Sequence, residues 1–187
     1  QTKGGTLNTI IQPEPPILVT AFNQQQPTLT LGGQLYESLL KYGADLKPMP
    51  GLAQSWEISP DGLTYTFKLF PGITFHDGTP LDGAAVKYNI DACRKSPLTG
   101  PAFSPIADTA ATGQTVTVTY KNPDALGPAL LRDEVCGYMF SPTWMKTLKN
   151  NPLLTDAEKA AAAGDPAAPV GVGPFKFQSY SPGNGNA

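Results

Sequence analysis

The chain has 187 residues, 40% of them hydrophobic, which is enough to form the core of one sizeable domain or of two small ones. Its formal net charge of −2 provides no basic field for DNA, RNA or an anionic membrane surface, so we expect no nucleic-acid partner. The sequence contains no run of about 20 apolar residues and therefore predicts no transmembrane helix.

The first fifty residues predict a strand, a loop and a helix. Residues 6–11 are typical of a strand, which the prolines within 13–16 end because proline lacks the amide hydrogen that a β-ladder needs. A polar loop containing Phe22–Gln26 follows. From about Leu31 to Tyr42, apolar residues recur at the four-residue spacing of a helix.

A period-two pattern predicts a hairpin in the middle of the chain. Leu63–Leu69 alternates apolar and polar residues, which places the apolar side chains on one buried face. Before it, Ser59–Gly62 combines proline, aspartate and glycine in the order of a turn, so we expect pairing with Trp56–Ile58. The aromatic residues of this hairpin are therefore predicted to be core residues and not a stacking platform for a sugar: Trp56, Tyr65 and Phe67.

Other elements are predicted from caps and turn signals. Asp82 is expected to cap a helix that begins near Gly83. Residues 95–105 predict a loop, and Val116–Tyr120 alternates like a half-buried strand. Further along, we predict a short helix within 125–132, a buried strand at Tyr138–Phe140, a helix begun by Ser141 and Pro142, and a helix with a capping box at Thr155–Glu158 that Gly164 and Pro166 end.

Several of these segments together carry a family resemblance. Leu52–Trp56, Asp61–Phe67, Pro71–Gly72 and Phe75–Gly78 closely resemble the signature of the family 5 extracellular solute-binding proteins, the peptide- and nickel-binding components of ABC importers. Tyr36–Leu40 resembles the family's lead-in to this signature. Pro169–Phe177 resembles the segment that returns from an inserted domain, although the family usually has a small hydroxyl residue at the position of Val172.

The resemblance implies a mixed α/β (α+β) fold, the N-terminal part of a class II periplasmic-binding-protein-like fold with the extra inserted domain of the peptide-binding family. Residues 1–45 and 169–187 are expected to form part of the first ligand-binding lobe, and residues 46–168 the inserted accessory domain. Family members continue for several hundred residues, so we expect the C-terminal second lobe to be absent from this chain.

Cys93 and Cys136 show neither CxxC nor zinc-ligand spacing, so we expect no metal site. In the oxidising compartment that the resemblance implies, the two thiols are able to form a disulfide. The alternative is a pair of buried free thiols that act as small hydrophobic residues. The sequence leaves both readings open.

Candidate site residues are few. His76, beside Asp77, has no nucleophile or second carboxylate in a recognisable motif, so we expect a structural role for it at a turn. Gly171–Pro174 lacks the pattern of a phosphate loop and is expected to serve a tight crossover. The resemblance implies that the loop after the first strand borders the solute cleft, which makes cleft candidates of Phe22, Asn23, Gln24 and Gln25. Two weaker aromatic candidates lie further along the chain: Phe103 and Tyr138.

The resemblance implies a non-catalytic solute-binding component of an ABC importer that closes two lobes around a small peptide or another small solute. Its partners are the solute, an ABC permease at the membrane and the missing C-terminal lobe, and no cofactor is expected. The implied location is extracytoplasmic, with a lipid anchor upstream of Gln1 as one option. Two alternatives remain open from the residues: an exported hydrolase of peptides or glycans, and a non-catalytic surface receptor module.

Overall fold

The computed structural model describes residues 10–13, 26–123, 136–163 and 168–179. Its helices and strands in chain order are α1 (Gln26–Leu35), β1 (Leu40–Tyr42), β2 (Pro48–Pro50), β3 (Ala53–Ile58), β4 (Thr64–Leu69), α2 (Gly83–Lys95), α3 (Gly100–Phe103), β5 (Ile106–Thr112), β6 (Thr115–Tyr120), α4 (Pro142–Met145) and α5 (Asp156–Ala161). Among the residues described, no helix combines the length and apolarity needed to span a bilayer.

Four strands form an antiparallel sheet in the order β3-β4-β6-β5. The predicted hairpin is confirmed, because β3 pairs with β4 and places Trp56 opposite Phe67. In its turn, the Gly62 amide donates to the Ser59 carbonyl at 2.8 Å with a φ of +71°, a conformation that glycine adopts without steric cost. The predicted strand at Val116–Tyr120 is also confirmed, as β6.

Helix α2 packs on the sheet at β5 and β6. It begins where predicted, after Asp82, whose Oδ1 accepts a hydrogen bond from the Ala85 amide at 2.9 Å. Val86 and Ile90, one turn apart on α2, are fully buried in the same hydrophobic cluster as Phe67 of the sheet. The period-two and helical patterns therefore identified two surfaces that share one core.

The aromatic residues of the hairpin are not all buried to the same degree. Tyr65 and Phe67 are core residues, as predicted. Trp56 is only partly buried and packs against the margin of the cluster. The prediction that Trp56 is a core residue is only partly met, because among the described residues β3 is an edge strand with a paired neighbour on one side only.

A disulfide bond joins α2 to the segment that follows β6. The sulfur atoms of Cys93 and Cys136 are bonded, and the two Cα atoms are 6.1 Å apart. Both residues are buried. The structure thus selects the disulfide from the two alternatives that the sequence left open.

The predicted helix from Leu31 to Tyr42 is confirmed only for residues 31–35. Helix α1 ends at Leu35, and Leu40–Tyr42 is strand β1, antiparallel to β2. The Leu39 carbonyl accepts hydrogen bonds from the amides of residues 51 and 53. Leu39 and Leu40 are adjacent and both fully buried, so the chain is buried on both of its faces here. A short apolar run of this kind is compatible with a buried helix or a buried strand, and spacing alone does not distinguish them.

Smaller corrections concern the second half of the chain. The predicted strand at Tyr138–Phe140 is reduced to one β-bridge between Tyr138 and Ser38, because the next residues pair with side chains and loops instead of a second strand. The predicted loop at 95–105 contains the single turn α3. Helix α4 begins at Pro142 with Ser141 as its N-cap, as predicted, and α5 has its predicted capping box but ends at Ala161. The predicted strand at 6–11 lies largely, and the helix within 125–132 entirely, outside the described residues.

The division into a first lobe and an inserted domain stays a prediction. The expected boundary after residue 45 falls between the paired strands β1 and β2. One hydrophobic cluster contains buried residues from both sides of that boundary, including Leu39 and Leu52. Within the described residues, the N-terminal elements and the four-stranded sheet therefore share a core.

We expect Phe67→Ala to lower the free energy of unfolding by about 3–5 kcal/mol, because it removes a fully buried ring and leaves a cavity. Phe70→Ala is the matched control, since Phe70 follows the same strand and is 40% exposed. Urea unfolding followed by circular dichroism measures both. Equal losses for the two variants would contradict the assignment of Phe67 to the core.

Removing the disulfide with Cys93→Ala and Cys136→Ala is expected to cost about 4 kcal/mol in the chain-entropy model, because the bond closes a loop between residues 43 positions apart. The measurement is the urea midpoint of the double variant against the oxidised parent. Adding a reductant should lower the parent's midpoint and leave that of the double variant unchanged. An oxidised parent that is no more stable than the double variant would contradict this expectation.

Candidate functional site

Tyr138, one of the predicted cleft residues, lies in a surface depression of about 460 Å³. The depression adjoins the end of α1, strand β1 and the segment 168–179. We call it the Tyr138 depression and define it by its lining residues: Gly33, Tyr36, Glu37, Ser38, Leu40, Lys41, Tyr42, Tyr138 and Pro174. The ring of Tyr138 is half-buried, and its centroid is 5.8 Å from that of Tyr36, so the lining is partly aromatic.

The Tyr138 depression combines neutral aromatic groups with both signs of charge. Tyr36 is buried, and burial raises the pKa of its phenol well above the usual value, so the group stays neutral at physiological pH. Lys41 Nζ lies 2.7 Å from Glu37 Oε2. Aromatic faces pack against an apolar body, and an ammonium and a carboxylate together are able to contact the opposite charges of a zwitterion.

The segment 168–179 reaches this depression by main-chain contact with α1. The Gly173 amide donates to the Leu35 carbonyl at 2.9 Å, and the Phe175 amide donates to the Gln34 carbonyl at 3.0 Å. A Cβ on Gly171 would lie 2.1 Å from the Leu35 oxygen, and one on Gly173 would lie 2.5 Å from the Leu35 carbonyl carbon. Both positions therefore need glycine for close approach, which fits the crossover expected from the sequence.

His76 ties the turn after β4 to the same segment. Its Nε2–H donates to the Gly173 carbonyl at 2.9 Å, and its main-chain amide donates to the Gly171 carbonyl at 2.9 Å. His76 Nδ1 is buried and has no hydrogen-bond partner among the described residues. The ring thus acts as a structural anchor here, as the sequence led us to expect.

Asp77 ties the same turn to helix α4. The Ser141 hydroxyl, at the N-cap of α4, donates to Asp77 Oδ2, and the Thr79 amide donates to Asp77 Oδ1 at 3.0 Å. Burial opposes the ionised form of Asp77, but the hydrogen bonds from Ser141 and Thr79 outweigh it and lower the pKa of this carboxyl from its usual value. The carboxylate is therefore committed to structural hydrogen bonds.

The other predicted cleft residues have different outcomes. Phe22, Asn23, Gln24 and Gln25 lie outside the described residues, directly before α1. Phe103 is 3% exposed and forms the floor of a separate depression of about 320 Å³ near the end of α2. The cleft role of Phe103 stays a prediction that this burial does not favour.

The sequence reasoning missed most residues that line the Tyr138 depression. Glu37 and Lys41 are four positions apart, a spacing that suggests a helical surface pair, yet residues 36–39 lie outside any helix and Lys41 is in β1. Tyr42 carried no signal of its own, and Pro174 was noted only as part of the expected crossover. Among the lining residues, only Tyr138 was predicted to face a solute.

Within the described ranges, no group of three His, Cys, Asp or Glu side chains is placed to hold a metal ion. A depression of about 680 Å³ lies between α4 and α5 and includes Tyr88 and Leu153. None of the predicted site residues lines it.

The Tyr138 hydroxyl closely approaches Gly33 of α1, because a Cβ at Gly33 would lie 3.1 Å from Tyr138 Oη. Within a helix, Gly→Ala is expected to stabilise by up to about 1 kcal/mol through helix propensity. We expect Gly33→Ala to gain little in the parent chain and more in a Tyr138→Phe background, where the crowding is relieved. A double-mutant cycle in urea measures this coupling, and additive changes would contradict the close approach.

Residues 47–186 match the family model of the bacterial extracellular solute-binding proteins, family 5 Middle. The chain is 48% identical over 62 residues to the glutathione-binding protein GsiB of Pectobacterium atrosepticum, which covers 33% of this chain and 12% of that protein. It is 34% identical over 159 residues to a Brucella ovis protein named "Putative ABC transporter peptide-binding protein", which covers 78% of this chain and 27% of the relative.

Among solved structures, the chain resembles the binding protein AgaA of A. tumefaciens R10 in complex with agropinic acid, with a TM-score of 0.74, 29% identity and coverage of 91% of this chain and 32% of that one. The chain therefore spans about a third or less of the length of these relatives. Family 5 proteins are non-catalytic, extracytoplasmic components of ABC transport, so the hydrolase alternative is not supported. Since the match covers most of the sequence, this chain belongs to the bacterial extracellular solute-binding proteins of family 5.

Proposed function

We propose that this chain supplies part of the solute-binding lobe, together with an accessory domain, of the extracytoplasmic receptor of an ABC importer. The observation that carries the proposal is the Tyr138 depression, which joins aromatic rings to the Glu37–Lys41 ion pair on one open surface. Such a surface is suited to hold one face of a small solute while a second lobe closes over the other. No covalent step is involved.

The chemistry of the Tyr138 depression favours a small zwitterionic solute such as a short peptide. A zwitterionic solute would replace the direct contact between Glu37 and Lys41. The Glu37 carboxylate would then accept a hydrogen bond from the α-ammonium group of the solute, and the Lys41 ammonium would pair with its carboxylate. Tyr138 adds an aromatic ring and a hydroxyl to the same depression. Relatives named for glutathione, itself a tripeptide, and for peptides are consistent with this class of solute.

The loop Phe22–Gln25 is proposed as a second contact with the same solute. It directly precedes Gln26, the first residue of α1, whereas Gly33 near the other end of α1 lies against the Tyr138 hydroxyl. Seven residues of helix span about 10 Å, which is the length of roughly three extended peptide residues. The helix α1 is thus proposed to separate two contact points along a short peptide.

We expect the 187-residue chain alone to bind a panel of glutathione, di- to pentapeptides and nickel–histidine more weakly than micromolar, because half of a clamshell site leaves the solute's other face in water. A longer protein that carries the same chain with a second lobe should bind a member of the panel with micromolar or tighter affinity. Isothermal titration of both proteins provides the comparison. Micromolar binding by the chain alone would show that the second lobe is not needed.

In the two-lobe protein, Tyr138→Ala should weaken binding of the panel member by about tenfold, or ~1.4 kcal/mol, through loss of one aromatic contact. Tyr88→Ala is the matched control, because Tyr88 is also half-buried but lines a different depression, that of about 680 Å³. An unchanged affinity for Tyr138→Ala, or an equal loss for Tyr88→Ala, would place the solute elsewhere.

A further inference from the structure

The segment before and after Tyr138 is attached to helix α2 by a buried amide. Asn89 of α2 is 2% exposed. Its Nδ2 donates to the Phe140 carbonyl at 2.9 Å, and its Oδ1 accepts from the Phe140 amide at 2.9 Å. The side chain therefore satisfies both main-chain polar groups of Phe140, as a neighbouring strand would.

The disulfide provides a second attachment to the same helix. Cys93 lies one turn beyond Asn89 on α2, and its partner Cys136 precedes Tyr138 by two residues. Phe140, the partner of Asn89, follows Tyr138 by two residues. Tyr138 thus lies midway between two points that are fixed to a single rigid helix.

Other contacts of this segment involve residues of the Tyr138 depression itself. Tyr138 forms a single β-bridge with Ser38, and the Met139 amide donates to the Glu37 carbonyl at 3.0 Å. Ser38 and Glu37 are themselves lining residues, so these bonds link one part of the depression to another. The attachment to α2 comes from outside the depression and fixes the segment relative to the sheet.

We infer that Asn89 and Cys93 are positioning residues that hold Tyr138 in the geometry it presents to a solute. The inference rests on the proposed function for the role of Tyr138 in binding, but the positioning itself does not. Neither Asn89 nor Cys93 lines the depression. Replacing Asn89 leaves the amide and carbonyl of Phe140 without their buried partner, which favours a shift of the segment toward other partners or water.

The test observes the Tyr138 ring directly in the 187-residue chain, by NMR with ¹³C-labelled tyrosine and assignment through Tyr138→Phe. The variants are Asn89→Ala and the double variant Cys93→Ala with Cys136→Ala. The matched control is Val118→Ala, a buried truncation in β6, where Val118 pairs with Tyr65. Tyr65 in turn contacts Tyr120 with a centroid distance of 5.2 Å, so these two rings report on the sheet.

The expected result is reciprocal. Both α2 variants should shift and broaden the Tyr138 signal more than the signals of Tyr65 and Tyr120, whereas Val118→Ala should do the opposite. The inference is overturned if Tyr138 keeps its parent signal in the folded α2 variants, or if Val118→Ala moves it equally. Should Asn89→Ala fail to fold, the disulfide variant alone decides. No solute is used, so failure here differs from failure of the Tyr138→Ala titration.

Discussion

The close approach of two main chains at residues 171–173 and Leu35 is the constraint on which the surroundings of Tyr138 depend. Glycine at both 171 and 173 removes the Cβ atoms that would otherwise overlap the Leu35 peptide. The contact lies at the C-terminal end of α1. His76 donates two further hydrogen bonds to the same segment, to the carbonyls of Gly171 and Gly173. Three stretches that are distant in sequence, near residues 35, 76 and 172, are thereby held at one place.

This arrangement gives the Tyr138 depression a rigid support and an open outer side. Its lining comes from α1, β1 and the segments around 138 and 174, all anchored in or beside one hydrophobic cluster. Polar groups beneath the depression are hydrogen-bonded to one another: Asn89 to the main chain of Phe140, and Asp77 to the Ser141 hydroxyl. Under the proposed function this support matters because a preformed half-site loses less entropy than a flexible one when a solute binds.

The sequence by itself determined the elements whose signals are local. The turn at Ser59–Gly62, the cap at Asp82 and the capping box at Thr155 each involve residues within five positions of one another, so their chemistry can be read directly. The alternation in β4 and β6 correctly selected the buried face of two central strands. The family was recognisable for the same reason, since its signature lies in this continuous stretch of turns and strand.

Only the tertiary structure decided the features that join distant residues. The apolar spacing at 31–42 is compatible with a helix until the amides of residues 51–53 are seen to bond to residues 38 and 39. Trp56 lies opposite the buried Phe67, yet its position on an edge strand of the described sheet leaves it partly exposed. Asn89 and Phe140 are 51 positions apart, and no sequence pattern near either residue predicts that they form hydrogen bonds. Burial and long-range hydrogen bonding depend on which segments meet, and no local pattern encodes that meeting.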